Sequence, residues 1–150
     1  MKIPWDEVPI GARSGTVTFT VTDEMVDQHI EAAELPSPWL PDATPEELRP
    51  GPGRIAPVDM ISRLYGWNLI YGFHNSRIGQ SVRAKQAATF YAPARVGMTI
   101  TATGHLVRKY EKRNRKFIVY EMNFFDSDGT LLLRDERVLM VLPDDFQAKG

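Results

Sequence analysis

The sequence has no cysteine among its 150 residues, and it has no strong excess of either charge. Without Cys the chain can form no disulfide, no thiolate zinc site and no Cys nucleophile. The 18 Lys and Arg residues are balanced by 19 Asp and Glu residues, which disfavours disorder and general binding of polyanions. We therefore expect one globular domain in a reducing compartment, and the cytoplasm is the predicted location.

Long hydrophobic runs and common site motifs are also missing. The longest stretch without a charged residue, Leu64 to Ser76, has 13 residues, whereas a membrane-spanning helix needs about 20. The start, Met1 to Pro9, has no apolar segment flanked by basic residues, so no signal peptide is expected. No Gly-rich phosphate loop, metal-ligand spacing or Ser/His/Asp signature occurs. The sequence therefore predicts no membrane segment, no metal and no cofactor.

The first part of the sequence has the pattern of a strand, a helix and a loop. Apolar residues alternate with threonines over 15–21, which indicates a strand with one buried face. Thr22 can cap a helix that ends near Leu35. Proline then occurs seven times over 36–57. This density predicts an ordered loop with at most one helical turn, at 45–48.

The second part has the pattern of one long apolar helix followed by four strands. A helix is predicted over 57–73, where apolar residues recur every three or four positions and leave little polar surface. Such a helix is expected to be central. Four strand-like runs are predicted to form an antiparallel meander, over 81–92, 97–110, 116–126 and 130–142. The prediction is a single α+β domain over 1–150, in which a curved antiparallel sheet wraps around the long central helix.

Four stretches of the sequence resemble one protein family. They are Thr22 to Val26, Pro38 to Asp42, Gly53 to Pro57, and the run from Phe90 to Thr99, which begins the pattern F-x-x-P-x-x-x-G-(D or M)-x-(I or L). Together with the order of elements, they resemble the hotdog-fold MaoC-like dehydratases, and especially the catalytically incomplete subunits of mycobacterial heterodimeric 3-hydroxyacyl-carrier-protein dehydratases. The resemblance implies a hotdog fold and an acyl-CoA or acyl-carrier-protein thioester as the ligand. It also implies a homodimer, or a heterodimer with a second hotdog subunit.

The hydratase motif of this family, Asp-x-Asn-Pro-x-His, is incomplete here. When the motif is aligned on its proline, Leu35 and Leu40 occupy the places of the Asp and His that transfer protons. Pro57 and Val58 replace the family's His-Gly before the central helix, although a backbone N–H of Val58 or Asp59 can still hold a thioester carbonyl. Three interpretations stay open: the non-catalytic half of a heterodimeric dehydratase, an enzyme with a relocated site, and an acyl-binding scaffold.

Two titratable residues on the predicted long helix are candidates for catalysis. Asp59, near its start, is either a carboxylate that complements the helix dipole or, as in some hotdog thioesterases, a nucleophile or general base. A thioesterase is therefore the rival function. His74, beside Asn75, ends the predicted helix and is either a C-terminal cap or an acid or base at a subunit boundary. Of the other histidines, His29 is predicted to pack in the core with a backbone hydrogen bond, and His105 is predicted to meet solvent.

Two groups of basic residues are candidate phosphate-binding sites. Arg83 and Lys85 alternate with Val82, Ala84 and Gln86 on the strand after the long helix, and these two cations lie either on its solvent face or at a thioester entrance. Residues 108–116, which we call the basic hairpin, hold six Lys and Arg within nine positions. Their turn is either simply solvated or a docking site for coenzyme A phosphates or an acidic carrier protein, through Lys112, Arg113 and Arg115. No nucleic-acid partner is expected, because no aromatic platform is interleaved with these cations.

Overall fold

The computed structural model describes residues 2–36 and 38–146, and it has the predicted α+β class. Five strands form one antiparallel sheet against which a long helix packs. The strands are β1 (Arg13–Thr20), β2 (Ser81–Phe90), β3 (Thr99–Lys112), β4 (Arg115–Phe125) and β5 (Leu131–Val141), and the α-helices are α1 (Asp23–Ala32), α2 (Pro45–Leu48) and α3 (Met60–Gly66). Each predicted strand is present, with bounds shifted by at most two residues.

Local capping explains the two short helices before α3. The Thr22 side chain accepts a hydrogen bond from the Met25 amide at 3.2 Å and so begins α1 as predicted. The helix ends at Ala32, earlier than predicted, and Glu34 adopts a left-handed φ of 51°. Thr44 and Glu47 form a reciprocal capping box at α2, which confirms the predicted helical turn at 45–48.

The helix that contains α3 is longer than its hydrophobic pattern predicts. It begins at Met60 rather than Pro57, and it continues through π-helical turns at Trp67–Tyr71 and His74–Ile78. We call residues 60–78 the central helix. The prediction that His74 ends this helix is therefore wrong, because the last turn extends the helix to Ile78. Among the described residues, no helix is long and apolar enough to cross a membrane.

The order of strands across the sheet is β1-β3-β4-β5-β2, which corrects the predicted meander. β3, β4 and β5 do form a meander, but β2 pairs with β5 at the far edge and β1 pairs with β3. The connection from β2 to β3 crosses from the β2 edge to β3, which lies inside β1 at the other side of the sheet. Hydrogen bonds of its backbone to residues 53–56 and to Val21 hold it in place. This order leaves β2 with one unpaired edge.

The sheet approaches the central helix most closely at two glycines, Gly15 on β1 and Gly104 on β3. A side-chain β-carbon on either residue would overlap the helix backbone at Leu69. The Ser14 hydroxyl also donates a hydrogen bond to the Leu69 carbonyl at 2.5 Å. These contacts fix the position of the helix relative to the sheet, and the amino end of the helix is fixed with it.

Candidate functional site

An apolar pocket of about 260 Å³ lies at the amino end of the central helix. Three segments line it, with residues 56–58 and 61 at the helix start, 90–94 at the end of β2, and 132–133 on β5. Val58, which is 56% exposed, lies at its rim. Its apolar walls suit a hydrocarbon chain, because burial of such a chain removes apolar surface from water.

Two backbone amides at the same helix end are free to bind a ligand. Among the described residues, neither the Val58 nor the Asp59 N–H donates a hydrogen bond, whereas the next amide, that of Met60, donates to the Pro57 carbonyl at 3.1 Å. The amino end of a helix carries partial positive charge and unpaired N–H groups. These two amides can therefore hold a carbonyl oxygen or an oxyanion.

The Asp59 side chain contacts α1 at the same end of the central helix. Its Oδ1 lies 3.2 Å from His29 Nε2, and its Oδ2 lies 3.7 Å from Arg63 Nη1. The His29 side chain is 8% exposed and the Asp59 side chain 51% exposed. The predicted burial of His29 is confirmed, but its partner is this carboxylate and not a backbone group. Thirty positions separate the two residues in the sequence, and no motif connects them.

Solved structures of known proteins share this arrangement of sheet and helix. A monoamine oxidase regulatory protein from an Archaeoglobus species has a TM-score of 0.72 and 16% identity, over 95% of this chain and 97% of that one. The HadBC (3R-hydroxyacyl-ACP dehydratase) complex from Mycobacterium tuberculosis has a TM-score of 0.69 and 18% identity, over 87% and 96%. An (R)-hydratase from A. caviae has a TM-score of 0.64 and 17% identity, over 91% and 98%.

The chain has the hotdog fold of the MaoC-like dehydratases. The expected fold is thereby confirmed. No family model and no curated protein matches the sequence, so the relation is carried by three-dimensional structure.

The hotdog chain has no acid or base at the two positions aligned with the hydratase motif. Leu35 is half-buried and lines a cleft of about 330 Å³ with Trp39 and Arg54, and Leu40 is also half-buried. Arg54 does not face a substrate there as a free cation, because its Nη1 lies 2.9 Å from Asp27 Oδ1. Proton transfer at these positions is therefore impossible for the side chains present.

His74 lies in the core of the hotdog domain and is fully buried. Its Nδ1 is 2.7 Å from the Tyr120 hydroxyl, and its Nε2 has no hydrogen-bond partner within residues 2–36 and 38–146. Burial lowers the pKa of His74 to about 4, so the ring is neutral at pH 7. The ring therefore lies in the core and not at the predicted subunit boundary. Asn75 is exposed, and its Oδ1 accepts a hydrogen bond from the Ser81 hydroxyl at 3.4 Å.

The structure does not bring His74 together with Asp59. Fifteen residues of helix separate them, which corresponds to about 20 Å along the axis. His105 lies half-buried on β3, opposite Glu121 on β4. Within the described part of the chain, no group of three or more His, Asp or Glu side chains is suited to hold a metal ion.

The basic hairpin lies at the opposite end of the sheet from the apolar pocket. Its turn is a tight one, in which Arg113 and Asn114 both adopt left-handed φ angles of 51° and 61°. Lys116 pairs with Val141 on β5, whereas Leu133, which lines the pocket, is eight residues earlier on that strand. Eight residues of strand span about 26 Å. Within one protomer, the hairpin and the pocket are therefore too far apart to share a small ligand.

The candidate cations lie in two different environments. Arg83 is exposed on the edge strand β2, and its Nη1 donates to Gln86 Oε1 at 2.9 Å. The register with β5 shifts just after Arg83, which breaks the regular alternation predicted for β2. Lys112 lies exposed at the hairpin, whereas Arg113 and Arg115 border a groove of about 760 Å³ between the hairpin and the end of β5.

A buried ion pair beneath the edge strand was not predicted from the sequence. Asp135 and Arg137, both on β5, are 0% and 3% exposed, and Arg137 Nη2 lies 3.1 Å from Asp135 Oδ2. Gln86 on β2 donates to the same carboxylate oxygen at 3.1 Å, and Arg137 also donates to the Ser62 carbonyl of the central helix at 3.2 Å. Burial raises the pKa of Asp135 despite the opposing effect of Arg137. This ion pair therefore connects the edge strand β2, the strand β5 and the central helix.

Proposed function

We propose that this protein binds acyl thioesters and is a hydratase or dehydratase of the MaoC-like type, either as a diverged enzyme or as a subunit of a larger hydratase. The observation that carries the proposal is the apolar pocket beside the two free amides of Val58 and Asp59. The fold supports it, because neighbours of the same fold include proteins named as an (R)-hydratase and a (3R)-hydroxyacyl-ACP dehydratase.

The proposed ligand would place its acyl chain in the pocket and its thioester carbonyl on the amides. In hydration of an enoyl thioester, the carbonyl oxygen gains negative charge as water adds to the β-carbon. Backbone donors that are already oriented stabilise that charge more than they stabilise the neutral carbonyl. Removal of one such donor costs roughly 10²–10³ in rate in known oxyanion holes. The helix end would thus contribute to catalysis without any special side chain.

The second subunit in the proposal is another hotdog chain, either a copy of this one or a relative. Nine of the ten residues of β2 are exposed, and its outer edge is unpaired within the described chain. Large apolar side chains are also exposed, with Phe90 at 47% and Tyr91 at 55% at the end of β2, and Trp67 at 60% on the central helix. An open strand edge next to exposed apolar groups favours pairing with a second sheet.

Antiparallel pairing of two β2 strands would also give the basic hairpin a role. In such a pair the Ser81 end of one β2 lies beside the Phe90 end of the other, because the strands run in opposite directions. Phe90 lines the pocket, whereas Ser81 pairs with Val141 near the basic hairpin. The hairpin of one subunit would therefore approach the pocket of the other, where its cations could meet the phosphates of coenzyme A or an acidic carrier protein.

A thioesterase remains the second candidate function, because the Asp59 carboxylate is half-exposed next to the free amides. One assay separates the two reactions. The purified chain is incubated with crotonyl-CoA, and loss of the conjugated double bond and release of free thiol are followed in parallel. Hydration without thiol release supports a hydratase, and thiol release without hydration supports a thioesterase.

The decisive variant for the proposed site is Val58→Pro, which removes one amide donor at the residue before the N-cap Asp59, where no hydrogen bond of the helix is lost. Val58→Ala is the matched control, because it shortens the side chain and keeps the N–H. We expect Val58→Pro to lower the rate of the observed reaction by roughly 10²–10³ and Val58→Ala to change it little. A native chain that neither binds nor converts acyl thioesters would contradict the proposed function.

A further inference from the structure

We infer that Asp59 and His29 form the proton-transfer pair of this site and take the place of the Asp and His that are missing at Leu35 and Leu40. In this pair Asp59 is the catalytic base and His29 is the residue that positions it. The inference rests on the proposed function, because it requires a thioester at the amino end of the central helix.

The first observation is the direction of the Asp59 side chain. Asp59 occupies the N-cap position of α3, where an aspartate ordinarily accepts a hydrogen bond from a backbone amide of the first turn. Its carboxylate makes no such capping bond. Both of its oxygens are turned instead toward other side chains, Oδ1 toward His29 and Oδ2 toward Arg63. The carboxylate is therefore not used for the structural purpose that its position offers.

The second observation is the contrast in burial between the two partners. His29 is almost fully buried on α1, whereas the Asp59 side chain is half-exposed. An imidazole held behind a carboxylate can donate its N–H to one oxygen and leave the other lone pairs directed outward. The contact of 3.2 Å permits such a hydrogen bond. This arrangement fixes the carboxylate and still exposes it to a ligand.

The third observation is that Asp59 carries both a free amide and the carboxylate. An amide nitrogen and a carboxylate oxygen of the same aspartate are never more than about 5 Å apart, because few bonds separate them. A thioester carbonyl bound by the Asp59 N–H would thus lie within reach of the carboxylate, directly or through one water molecule. Val58, the residue before Asp59, and Ile61, two residues after it, line the apolar pocket, so the acyl chain would lie next to this carbonyl site.

The proposed reaction is the addition of water to an enoyl thioester. The Asp59 carboxylate takes one proton from a water molecule, whose oxygen forms a bond to the β-carbon. The electrons of the double bond move toward the carbonyl, and the resulting enolate oxygen accepts hydrogen bonds from the Val58 and Asp59 amides. The proton on Asp59 then passes to the α-carbon as the carbonyl re-forms. The sum is one water added across the double bond, and Asp59 returns to its ionised form.

The test compares Asp59→Asn, His29→Leu and His29→Gln with the native chain, using kcat and KM for crotonyl-CoA hydration and calorimetric binding of butyryl-CoA. Asp59→Asn is expected to lower kcat by roughly 10²–10⁴ and to leave binding of butyryl-CoA within about threefold. His29→Leu is expected to lower kcat at least tenfold without a change in KM. His29→Gln should recover much of that loss, because its amide can donate from nearly the position of Nε2. His105→Gln is the matched control and should change nothing.

The outcomes distinguish this inference from the proposed function. A native chain that binds butyryl-CoA and hydrates crotonyl-CoA, with turnover unchanged in Asp59→Asn, overturns the pair and keeps the function. Binding of butyryl-CoA without any turnover by the native chain also overturns the pair and leaves an acyl-binding subunit. A chain that neither binds nor hydrates overturns the proposed function itself. Should His29→Leu fail to fold, the half-exposed Asp59→Asn variant and His29→Gln still decide the question.

Discussion

The buried His74 makes the stability of this protein sensitive to acid in a calculable way. Burial lowers the pKa of His74 from 6.5 to about 4, because the charged ring would lose its hydration in the core. Below pH 6.5 the unfolded chain binds a proton that the folded chain does not bind. The free energy of unfolding therefore falls as the pH falls from 6.5 toward 4, and it stays constant with respect to this group at lower pH. Each pH unit of the shift is equivalent to about 1.4 kcal/mol, so the full loss is about 3 kcal/mol.

The perturbation that isolates this effect is His74→Gln. Glutamine does not titrate, and its amide can still bond the Tyr120 hydroxyl, which lies 2.7 Å from the imidazole in the native chain. Asp135 contributes to the pH dependence with the opposite sign, because its raised pKa means that the folded chain binds a proton at this carboxyl more tightly than the unfolded chain does. Asp135 is present in both proteins. The difference in pH dependence of the unfolding free energy between the native chain and the variant is therefore due to His74 alone.

The assay is urea unfolding followed by tryptophan fluorescence, at one protein concentration and at pH 7, 5.5 and 4. Between pH 7 and pH 4 the free energy of unfolding of the native chain is expected to fall by about 3 kcal/mol more than that of His74→Gln. The stabilities of the two proteins should therefore approach each other as the pH falls. If the unfolding free energies of the two proteins changed equally with pH, the pKa of His74 would not be lowered by folding, because the ring would be protonated equally in the folded and unfolded states.

Three further predictions concern assembly, the basic hairpin and the helix–sheet contact. Trp67→Glu should shift the protein toward monomer in sedimentation at micromolar concentration, and a native chain that is itself a stable monomer without a partner would contradict the proposed edge pairing. Replacement of Lys112, Arg113 and Arg115 by Gln should weaken binding of coenzyme A thioesters at low salt. The free energy of unfolding should stay the same, because exposed charges on a turn contribute little to stability. Equal binding by the native chain and the triple variant at low salt would contradict a docking role of the hairpin. Gly104→Ala should lower the melting temperature by several degrees, because its β-carbon would overlap the Leu69 backbone, and an unchanged temperature would show that the helix moves away freely.

Local elements of this fold could be predicted because their causes lie close together in the sequence. Alternation of threonine with apolar residues predicts β1, and Thr22 with its following carboxylates predicts the start of α1. The turn between β4 and β5 is fixed by Asp126, whose Oδ1 accepts hydrogen bonds from the amides of Asp128 and Thr130 at 2.9 Å. Each of these signals acts within a few residues, so the sequence displays it directly.

The place of β2 and the length of the central helix depend on contacts between distant residues. β2 has the composition of an ordinary strand, and nothing in that composition distinguishes pairing with β3 from pairing with β5. The connection that carries the chain from β2 back across the sheet to β3 is held by hydrogen bonds to residues 53–56 and Val21. The central helix has π-helical turns at 67–71 and 74–78, and the second of them carries it from 73 to 78. Their wider hydrogen bonding interrupts the three- and four-residue spacing used to predict the helix.

The candidate site could be predicted only in part. Val58 and Asp59 follow from their place at the start of an apolar helix, because helix amino ends carry free amides in any sequence. His29 could not be found in this way, since its contact with Asp59 joins α1 to the central helix across thirty residues. The basic hairpin is evident from its charge, but its distance from the pocket depends on the register of β4 with β5.

Binding of an unreactive acyl thioester is the most direct test of the site at the amino end of the central helix. Isothermal titration of butyryl-CoA into the native chain, Val58→Ala and Val58→Pro compares one site with and without its first amide donor. We expect saturable binding by the native chain and by Val58→Ala, and binding weakened at least tenfold in a folded Val58→Pro variant. No binding by the native chain, or equal affinity in all three proteins, would contradict the claim that the amino end of the central helix holds an acyl thioester.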